Sequence, residues 1–283
     1  MSTPVVPERP PWLKVRAPAG EQVGKVAGVL AKHRLVTVCA EARCPNVGEC
    51  WGDGTATVLV LGDTCARGCS FCSVRGGRPD PPDPSEPGRV AAAAAELGWG
   101  YLVVTSVTRD DLPDGGAGHF AAVVRELRTL ASRPAVELLV PDFAGSREAL
   151  RTVVEARPDV LGHNVETVPR LYPSVRPGAS YERSLELLRR AGEMDSTLRR
   201  KSGLMVGMGE KREEVVAVME DLFRAGCRAV TVGQYLSPSR GHPPVVRYLS
   251  VAEFEELGEA ARRIGFSRVA SGPLVRSSYR AGG

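Results

Sequence analysis

The chain lacks the features that would place it at a membrane or on a nucleic acid. No hydrophobic run approaches the length of about 20 residues that spans a bilayer. The N-terminus, MSTPVVPERPPW, is rich in proline and has no apolar segment of the kind found in signal peptides. Charge is nearly balanced, with 37 basic and 33 acidic residues among 283. We therefore expect a cytoplasmic protein that binds neither membrane nor nucleic acid.

Cysteine is the residue whose distribution is most informative. Six of the seven cysteines fall into two tight triplets, and Cys227 stands alone. The triplets are Cys39, Cys44 and Cys50, followed by Cys65, Cys69 and Cys72. An odd count in a chain with no export signal favours a reducing compartment, where clustered thiols bind metal more often than they pair. Cys227, in RAGCRAV, is expected to pack as a small hydrophobic residue.

The second triplet lies in GDTCARGCSFC, residues 62–72, directly after the apolar segment 57–61 that reads as a buried strand. Thiolates this close together in a loop surround one compact object, such as an iron–sulfur cube. Three cysteines leave one iron of a cube without a protein ligand, so that iron is available to a reacting molecule. The spacing C-x3-C-x2-C with Phe71 before the last cysteine is similar to the signature of radical S-adenosylmethionine (SAM) enzymes.

Zinc is the main alternative for both triplets. A zinc site normally shows paired C-x2-C spacings and a fourth Cys or His nearby. The second triplet has one such spacing and no histidine within forty residues on its C-terminal side. The first triplet lies in VTVCAEARCPNVGECWG, which its Pro, Asn and Gly residues predict to be a turning loop rather than a helix, with His33 as the nearest fourth ligand. A non-catalytic zinc-bearing binding module, or an iron–sulfur electron carrier, therefore stays open at this point.

From residue 57 onward, apolar strand-like segments alternate with helix-like segments. The predicted strands are 57–61, 101–106, 136–140, 160–165, 203–208 and 229–234, with a possible seventh at 267–270. The predicted helices are 21–36, 87–97, 117–131, 146–156, 180–192, 211–225 and 250–264. Six β/α units in series predict an α/β fold, an incomplete (β/α)6 TIM-type barrel with N- and C-terminal extensions. A doubly wound sheet is less suitable because no glycine-rich phosphate turn follows the first strand.

The alternation also predicts three regions. Residues 1–56 form an N-terminal arm with a cysteine loop, residues 57–266 the partial barrel, and residues 267–283 a C-terminal tail that contains RSSY. Polar residues follow the predicted strands at their C-terminal ends, which is the face that carries the active site of a barrel. These polar residues include Thr105, Asn164, Glu166 and Glu210, while Lys201 precedes the fifth strand.

Taken together, the motifs resemble the lipoyl synthase family of radical SAM enzymes over nearly the whole chain. The matching segments are C-x4-C-x5-C at 39–50, C-x3-C-x2-C at 65–72, RDDLPDGG at 109–116, PDF at 141–143, HNVETVPRLY at 163–172, KSGLMVGMGE at 201–210, QYLSPS at 234–239 and GPLVRSSY at 272–279. Two triplets in this order with a terminal RSSY are more specific than one. They argue against another sulfur-inserting enzyme, such as a biotin-synthase-like one. Residues 241–244, GHPP, depart from the more usual HHLP of the family, and the tail is shorter.

The resemblance implies two [4Fe–4S] clusters and SAM as cofactors. The second triplet would hold the cluster whose open iron binds SAM, and the first would hold an auxiliary cluster. The fourth auxiliary ligand in the family is a serine of RSSY, which we assign to Ser278 with Ser277 as the alternative. The candidate contacts to SAM are Phe71, Thr105, Asn164, Glu166 and Glu210, with Lys201 a candidate for a carboxylate of SAM or for the substrate.

The resemblance also implies the reaction and its partners. The substrate is an octanoyl group on a lysine of a lipoyl carrier domain, either a dehydrogenase-complex subunit or a glycine-cleavage carrier. Sulfur from the auxiliary cluster is inserted at C6 and C8, whose C–H bonds no acid or base ionises at neutral pH, so a cofactor supplies the hard step. A low-potential electron donor such as flavodoxin or ferredoxin, and an iron–sulfur carrier that rebuilds the auxiliary cluster, complete the expected partners.

Overall fold

Ten strands make up the sheets of the computed structural model, which describes residues 8–15 and 17–282. They are β1 (Val36–Thr37), β2 (Thr57–Val60), β3 (Thr64–Cys65), β4 (Arg75–Gly76), β5 (Tyr101–Ser106), β6 (Ala135–Leu139), β7 (Val160–Gly162), β8 (Arg199–Val206), β9 (Ala229–Gln234) and β10 (Arg268–Gly272). Eight of them form one sheet in the order β1-β2-β5-β6-β7-β8-β9-β10, and β3 pairs with β4. The part of the predicted arm at residues 1–7 and 16 lies outside the described residues.

The order of the strands distinguishes the two predicted folds. All pairs from β2 to β10 are parallel, and each strand lies beside the next one along the chain without a reversal. A doubly wound sheet would change direction at a switch point. Residues of β2 and of β9 line the same cavity, so the sheet curves until its two ends face each other. The predicted incomplete barrel is therefore confirmed, with β10 as its seventh parallel strand.

The bounds of β8 and β7 differ most from the prediction, and those of β2, β6 and β10 differ by one or two residues. Strand β8 starts at Arg199 rather than at residue 203, because its polar N-terminal residues pair with both β7 and β9. The hydrophobic pattern does not identify these polar residues as part of a strand. Strand β7 ends at Gly162, and the chain then turns so that Glu166 forms only an isolated bridge with Leu204. Strands β5 and β9 have the predicted bounds.

Ten α-helices pack around the sheet or lie near its open side within the described residues. They are α1 (Glu21–Lys32), α2 (Val38–Glu41), α3 (Val47–Gly52), α4 (Glu86–Leu97), α5 (Ala117–Thr129), α6 (Arg147–Glu155), α7 (Tyr172–Val175), α8 (Tyr181–Met194), α9 (Arg212–Arg224) and α10 (Val251–Ile264). Short 3-10 turns occur at Pro11–Leu13, Phe143–Gly145 and Pro169–Leu171. Ser146 and Ser250 cap α6 and α10 by accepting a backbone N–H, as their positions predict.

The segment 38–52, called here the N-terminal cysteine loop, corrects one prediction. Its Pro, Asn and Gly residues predict a turning loop without a helix, whereas the structure contains α2 and α3 there. The Thr37 hydroxyl caps α2 by accepting from Ala40 N, and Pro45 precedes α3, where proline does not disturb a helix. Helix α3 has only six residues, so its two glycines cost little. Helix α2 begins at a local cap that the apolar pattern does not reveal.

The two extensions complete the open edges of the barrel. Strand β1, from the N-terminal arm, pairs antiparallel with β2, and β10, which opens the C-terminal region, pairs with β9. Helix α1 packs against α3 and α4, and Trp99 Nε1 donates to Gly54 O at 2.6 Å. Cys227 lies fully buried in the hydrophobic core, which confirms its predicted role. Among the described residues, no helix has both the length and the apolar character required to cross a membrane.

Candidate active site

A cavity of about 320 Å³ opens at the C-terminal ends of the parallel strands, within the range of small-molecule sites. The chain reaches it from β2, β5, β6, β8 and β9, from both cysteine loops and from the C-terminal tail. The predicted site residues that line it are Cys39, Cys44, Cys65, Cys69, Cys72, Phe71, Thr105, Asn164, Glu166, Ser277 and Ser278. The structure therefore brings the whole second triplet, Cys39 and Cys44 of the first triplet, and the two serines of RSSY to one cavity, whereas Cys50 is not part of its lining. More than 200 residues separate these cysteines from the serines in sequence.

Residues 62–72, called here the barrel cysteine loop, follow β2 through a turn in which Leu61 and Gly62 have positive φ. The Cys65 sulfur accepts backbone N–H groups from Arg67 at 3.4 Å and Thr108 at 3.3 Å. Burial raises the pKa of the Cys69 thiol and raises that of Cys72 to about 11. Buried thiols stay neutral by themselves, so their thiolates require cationic partners such as iron.

Arg67 fixes this loop to the barrel, a role that the sequence reading did not identify. Its guanidinium pairs with Asp110 at 2.5 Å and with Asp142 at 2.7 Å. Asp142 is fully buried and also pairs with Arg183 at 3.2 Å. Burial by itself would raise the pKa of Asp142, but Arg67 outweighs it and lowers this pKa to about 2. The PDF segment and one aspartate of RDDLPDGG thus serve as anchors for the loop.

Other charged residues of RDDLPDGG stabilise the chain at the point where the same loop begins. Arg109, which is 1% exposed, donates to Leu61 O at 3.2 Å and pairs with Asp111 at 2.7 Å. Asp114 accepts the backbone N–H groups of Gly116 and Gly118 and so fixes the start of α5. The motif is therefore more than an acidic turn, because it holds the strand end from which the barrel cysteine loop leaves.

The N-terminal cysteine loop brings Cys39 and Cys44 to the lining of the same cavity, and Cys50 lies in α3 of that loop. Cys39 is buried and accepts the backbone N–H of Thr57 at 3.5 Å. Burial raises the pKa of Cys44. Burial and then the neighbouring Cys44 and Cys39 raise the pKa of Cys50 to about 12. All seven cysteines are free of disulfides.

The tail, defined here as residues 273–282, passes over the end of β9. A β-carbon on Gly233 would lie 2.1 Å from Val275 O, so only glycine permits this approach. Asn46 Nδ2 donates to Leu274 O at 2.7 Å, and Tyr279 OH donates to Glu49 at 2.8 Å. These contacts bring the serines of RSSY to the cavity beside the N-terminal cysteine loop.

The loop 235–244 connects the two cysteine loops and contains the departure GHPP. His242 Nε2 lies 3.1 Å from Cys72 O, which can only accept, so this nitrogen carries the proton. The other ring nitrogen then accepts from the Ser239 hydroxyl at 2.8 Å. On the opposite side, Arg43 donates to Pro238 O at 3.2 Å. The histidine of GHPP thus contacts the backbone of a triplet cysteine.

Polar groups without partners lie at one end of the cavity. Among the described residues, Arg176 Nε and Ser106 Oγ are buried without a hydrogen-bond partner. Arg176 Nη1 donates to Asn164 O at 2.9 Å. Glu166 has a φ of +65°, a strained conformation held by hydrogen bonds to Gly203 O and from Met205 N. Burial raises the pKa of the Glu166 carboxyl. A ligand with both a carboxylate and a cationic group would satisfy this end.

The structure does not bring Lys201 and Glu210 to the cavity lining. Lys201 lies in the barrel interior, where its amine pairs with Glu137 at 2.7 Å. It sits in the N-terminal half of β8, away from the strand ends. The Glu210 carboxylate accepts the backbone N–H groups of Gly207 and Met208 and therefore stabilises its own turn. The positions of both residues in the sequence predict that they lie near strand ends. In the structure, however, both side chains bind groups outside the cavity lining.

The described side chains do not form a site for a single metal ion. Within residues 8–15 and 17–282, no three His, Cys, Asp or Glu side chains meet closely enough to hold one. A zinc ion would need sulfur ligands at about 2.3 Å. His33 pairs with Glu96 at 2.8 Å instead of approaching the triplet. The donor set at the cavity, three thiols of the barrel cysteine loop and two of the N-terminal cysteine loop, suits sulfur-bound clusters that are larger than a single ion.

Comparison with known proteins agrees with this geometry. Residues 59–222 match the Radical SAM superfamily model, so the chain is a radical SAM enzyme. It is 53% identical over 274 residues to the lipoyl synthase of Caldicellulosiruptor saccharolyticus, covering 97% of this chain and 96% of the relative. It is 54% identical to that of Caldanaerobacter subterraneus subsp. tengcongensis, covering 96% and 95%. The chain belongs to the lipoyl synthase family.

Solved structures support the fold at low sequence identity. Streptococcus suis SuiB bound to S-adenosylmethionine superposes with a TM-score of 0.58 at 11% identity, covering 88% of this chain and 54% of that one. Methylornithine synthase superposes with a TM-score of 0.56 at 15% identity, covering 89% and 72%. At this sequence identity, both similarities concern the fold alone.

Proposed function

We propose that the two cysteine loops divide the lipoyl synthase reaction between them across the shared cavity. The barrel cysteine loop would hold the SAM-binding [4Fe–4S] cluster, and the N-terminal cysteine loop with Ser278 would hold the auxiliary one. When bound, these groups supply a carbon-centred radical that removes hydrogen from an unactivated C–H bond, and sulfide for insertion at C6 and C8. The observation that carries the proposal is that the barrel triplet, two cysteines of the other triplet and both serines of RSSY line one cavity.

The residues at the SAM end match the chemistry of that cofactor. The unpartnered Nε of Arg176 suits a carboxylate, and the Glu166 carboxylate suits an ammonium group or ribose hydroxyls. Thr105 already donates to Leu139 O at 2.8 Å, which leaves its oxygen lone pairs for a ligand. We assign Phe71, Thr105, Asn164, Glu166 and Arg176 to SAM. Lys201 and Glu210 are given no contact with it.

The space between the loops suits an alkyl chain. Its apolar lining comes from strand ends and from the tail, namely Leu59, Leu139, Leu204, Met205, Leu236 and Val275. An octanoyl group carries no charge that the protein could recognise. Its position along the cavity must therefore be set by the shape of the cavity and by the exclusion of water. We propose that this lining directs C6 and C8 toward the space between the triplets.

The family acts on a lipoyl carrier domain, and further partners follow from the chemistry. A low-potential donor such as flavodoxin or ferredoxin would reduce the SAM-binding cluster. An iron–sulfur carrier would rebuild the auxiliary cluster, because its sulfur is consumed. Seven free cysteines, six of them in metal-binding triplets, support a reducing cytoplasm as the place of action.

The reaction is tested with anaerobically reconstituted protein, SAM, dithionite and an octanoylated carrier peptide. After air oxidation, we expect the peptide mass to rise by two sulfur atoms and fall by two hydrogen atoms. The same incubation without SAM should leave the peptide unchanged. A SAM-dependent product with any other mass change would refute the proposed function.

Replacing Ser278 by cysteine tests which serine is the ligand. Iron prefers thiolate to alkoxide in such clusters, so a serine-held iron is the easiest to release. We expect Ser278→Cys to retain about eight irons per chain but to lower product yield at least tenfold, measured by mass spectrometry. Ser277→Cys is the matched control and should keep a near-normal yield. If the two results are exchanged, Ser277 is the ligand.

A further inference from the structure

Two polar residues of the N-terminal cysteine loop contact the tail without being candidate ligands. Asn46, which is 3% exposed, donates its side-chain amide to Leu274 O at 2.7 Å. The backbone N–H of the same residue points to the Cys44 sulfur. One buried residue therefore connects a triplet cysteine with the start of the tail. The hydrogen bond is partly buried, so its loss would weaken the attachment of the tail at this point.

Glu49 makes the second connection, on the other side of the serines. A single carboxylate oxygen accepts from Tyr279 OH at 2.8 Å and from Arg280 Nη2 at 2.9 Å. Tyr279 directly follows Ser278, and Glu49 directly precedes Cys50. Arg280 is exposed, so its ion pair contributes little by itself. The tyrosine hydrogen bond is half-buried and is the stronger restraint.

We propose that Asn46 and Glu49 are positioning residues that hold the tail, and with it Ser278, on the N-terminal cysteine loop. The two contacts lie on either side of Ser278, at Leu274 and Tyr279, so they fix the segment at both ends. The Ser278 part rests on the proposed function, whereas the contacts themselves do not. Residues 45–49 and the RSSY segment are then one structural unit.

A second cavity shows where this unit would open. It has a volume of about 390 Å³ and is lined by Lys14, Val15, Pro45, Asn46, Glu49, Asp53, Leu274 and Arg280. It therefore lies along the same two contacts that hold the tail. Opening would break these hydrogen bonds and the packing of Val275 against Gly233, while every strand pairing would stay intact. It would make the proposed auxiliary site accessible for replacement of its cluster.

The test uses hydrogen exchange and iron release rather than activity. Asn46→Asp keeps the size of the side chain but places an acceptor against Leu274 O, and Glu49→Ala removes the acceptor for Tyr279. In cluster-free full-length protein, we expect amide exchange in residues 275–280 to rise about tenfold in either variant. Glu41→Gln, on the same loop and without a tail contact in the described residues, is the control. Unchanged exchange in both variants would overturn the proposal.

A second measurement separates this proposal from the ligand assignment. In the Cys65/Cys69/Cys72→Ala background, which can hold only the auxiliary cluster, iron release to an anaerobic chelator is followed. We expect Asn46→Asp and Ser278→Ala each to accelerate release about tenfold, with faster exchange only in Asn46→Asp. If this background binds no iron, the proposed function fails, and the exchange experiment still decides the role of Asn46 and Glu49. Faster exchange without faster iron release would refute the positioning of Ser278.

Discussion

At the scale of single residues, the site depends on contacts in which one atom decides the geometry. Glu166 keeps a positive φ because two backbone hydrogen bonds to β8 hold it there. Arg109 is nearly inaccessible, yet it links the end of β2 to its own acidic motif. Strain and buried charge of this kind persist only where the surrounding structure determines them, and they concentrate at functional sites.

Gly233 gives the sharpest residue-level prediction. In Gly233→Ala, the new methyl group would lie 2.1 Å from Val275 O, and a backbone atom cannot move aside as a flexible side chain can. We expect the tail to be displaced and iron to fall from about eight to about four per chain after reconstitution. Iron analysis measures this, and Gly24→Ala in α1, where nothing lies within 4 Å, is the control. Full iron content in Gly233→Ala would contradict the prediction.

His163 predicts how stability depends on pH. Burial and then the charge of Arg176 lower the pKa of this histidine to about 4, while Asp142 and Arg67 also face it. The unfolded chain, with a histidine pKa of about 6.5, binds the proton more readily between these values. Stability is therefore complete above about pH 6.5 and is lost as pH falls toward 4.

Urea unfolding of cluster-free protein would measure the effect of His163. We expect the free energy of unfolding to fall by about 2 kcal/mol between pH 7 and pH 5, from the linkage of one group. His163→Gln keeps a donor for Val140 O, which the histidine contacts at 2.8 Å, and should lose most of this slope. Equal slopes in the two proteins would mean that another group titrates.

At the scale of elements, loops rather than strands carry the specific chemistry. The loop 235–244 contacts the barrel cysteine loop through His242 and the N-terminal cysteine loop through Pro238. The barrel cysteine loop is held in turn by Arg67 between two aspartates. Each loop is therefore fixed by at least one buried or half-buried hydrogen bond to a different element, which gives the cavity a defined shape.

His242→Ala should weaken the coupling between SAM cleavage and product formation. The change removes a hydrogen bond to Cys72 O, which is worth about 1 kcal/mol. The barrel cysteine loop then loses one of the contacts that hold it beside the cavity. We expect about fivefold more 5′-deoxyadenosine per lipoyl product, measured by chromatography and mass spectrometry. Arg240→Ala, an exposed change on the same loop, should leave the ratio unaltered. An unchanged ratio in His242→Ala would show that this contact is only structural.

The sequence predicted the parallel barrel and both triplets because these follow from hydrophobic periodicity and from cysteine spacing. It missed Arg67 and Arg176, which carry no motif of their own and acquire a role only when distant loops meet. It assigned Lys201 and Glu210 to the site from their position along the strands, whereas their hydrogen-bond partners lie elsewhere. Long-range partners of this kind cannot be read from one-dimensional order.

At the scale of the whole molecule, the open side of the barrel explains why both ends of the chain are needed. Strand β1 extends one edge of the sheet and β10 the other, so the arm and the tail meet beside the gap between them. A closed barrel would leave no place for the N-terminal cysteine loop beside the cavity. The incomplete barrel thus allows the N-terminal cysteine loop to lie beside the barrel cysteine loop.

Two triple variants test whether the molecule works as two facing halves. Each triplet would hold one four-iron cluster, so we expect about eight irons per chain in the wild type and about four in either Cys39/Cys44/Cys50→Ala or Cys65/Cys69/Cys72→Ala. The first variant should still cleave SAM reductively without forming lipoyl product, because only sulfide is missing. The second should do neither, because the open iron that binds SAM is lost. Iron analysis and detection of 5′-deoxyadenosine measure both outcomes, and a wild type that holds only four irons would contradict the arrangement of two clusters around one cavity.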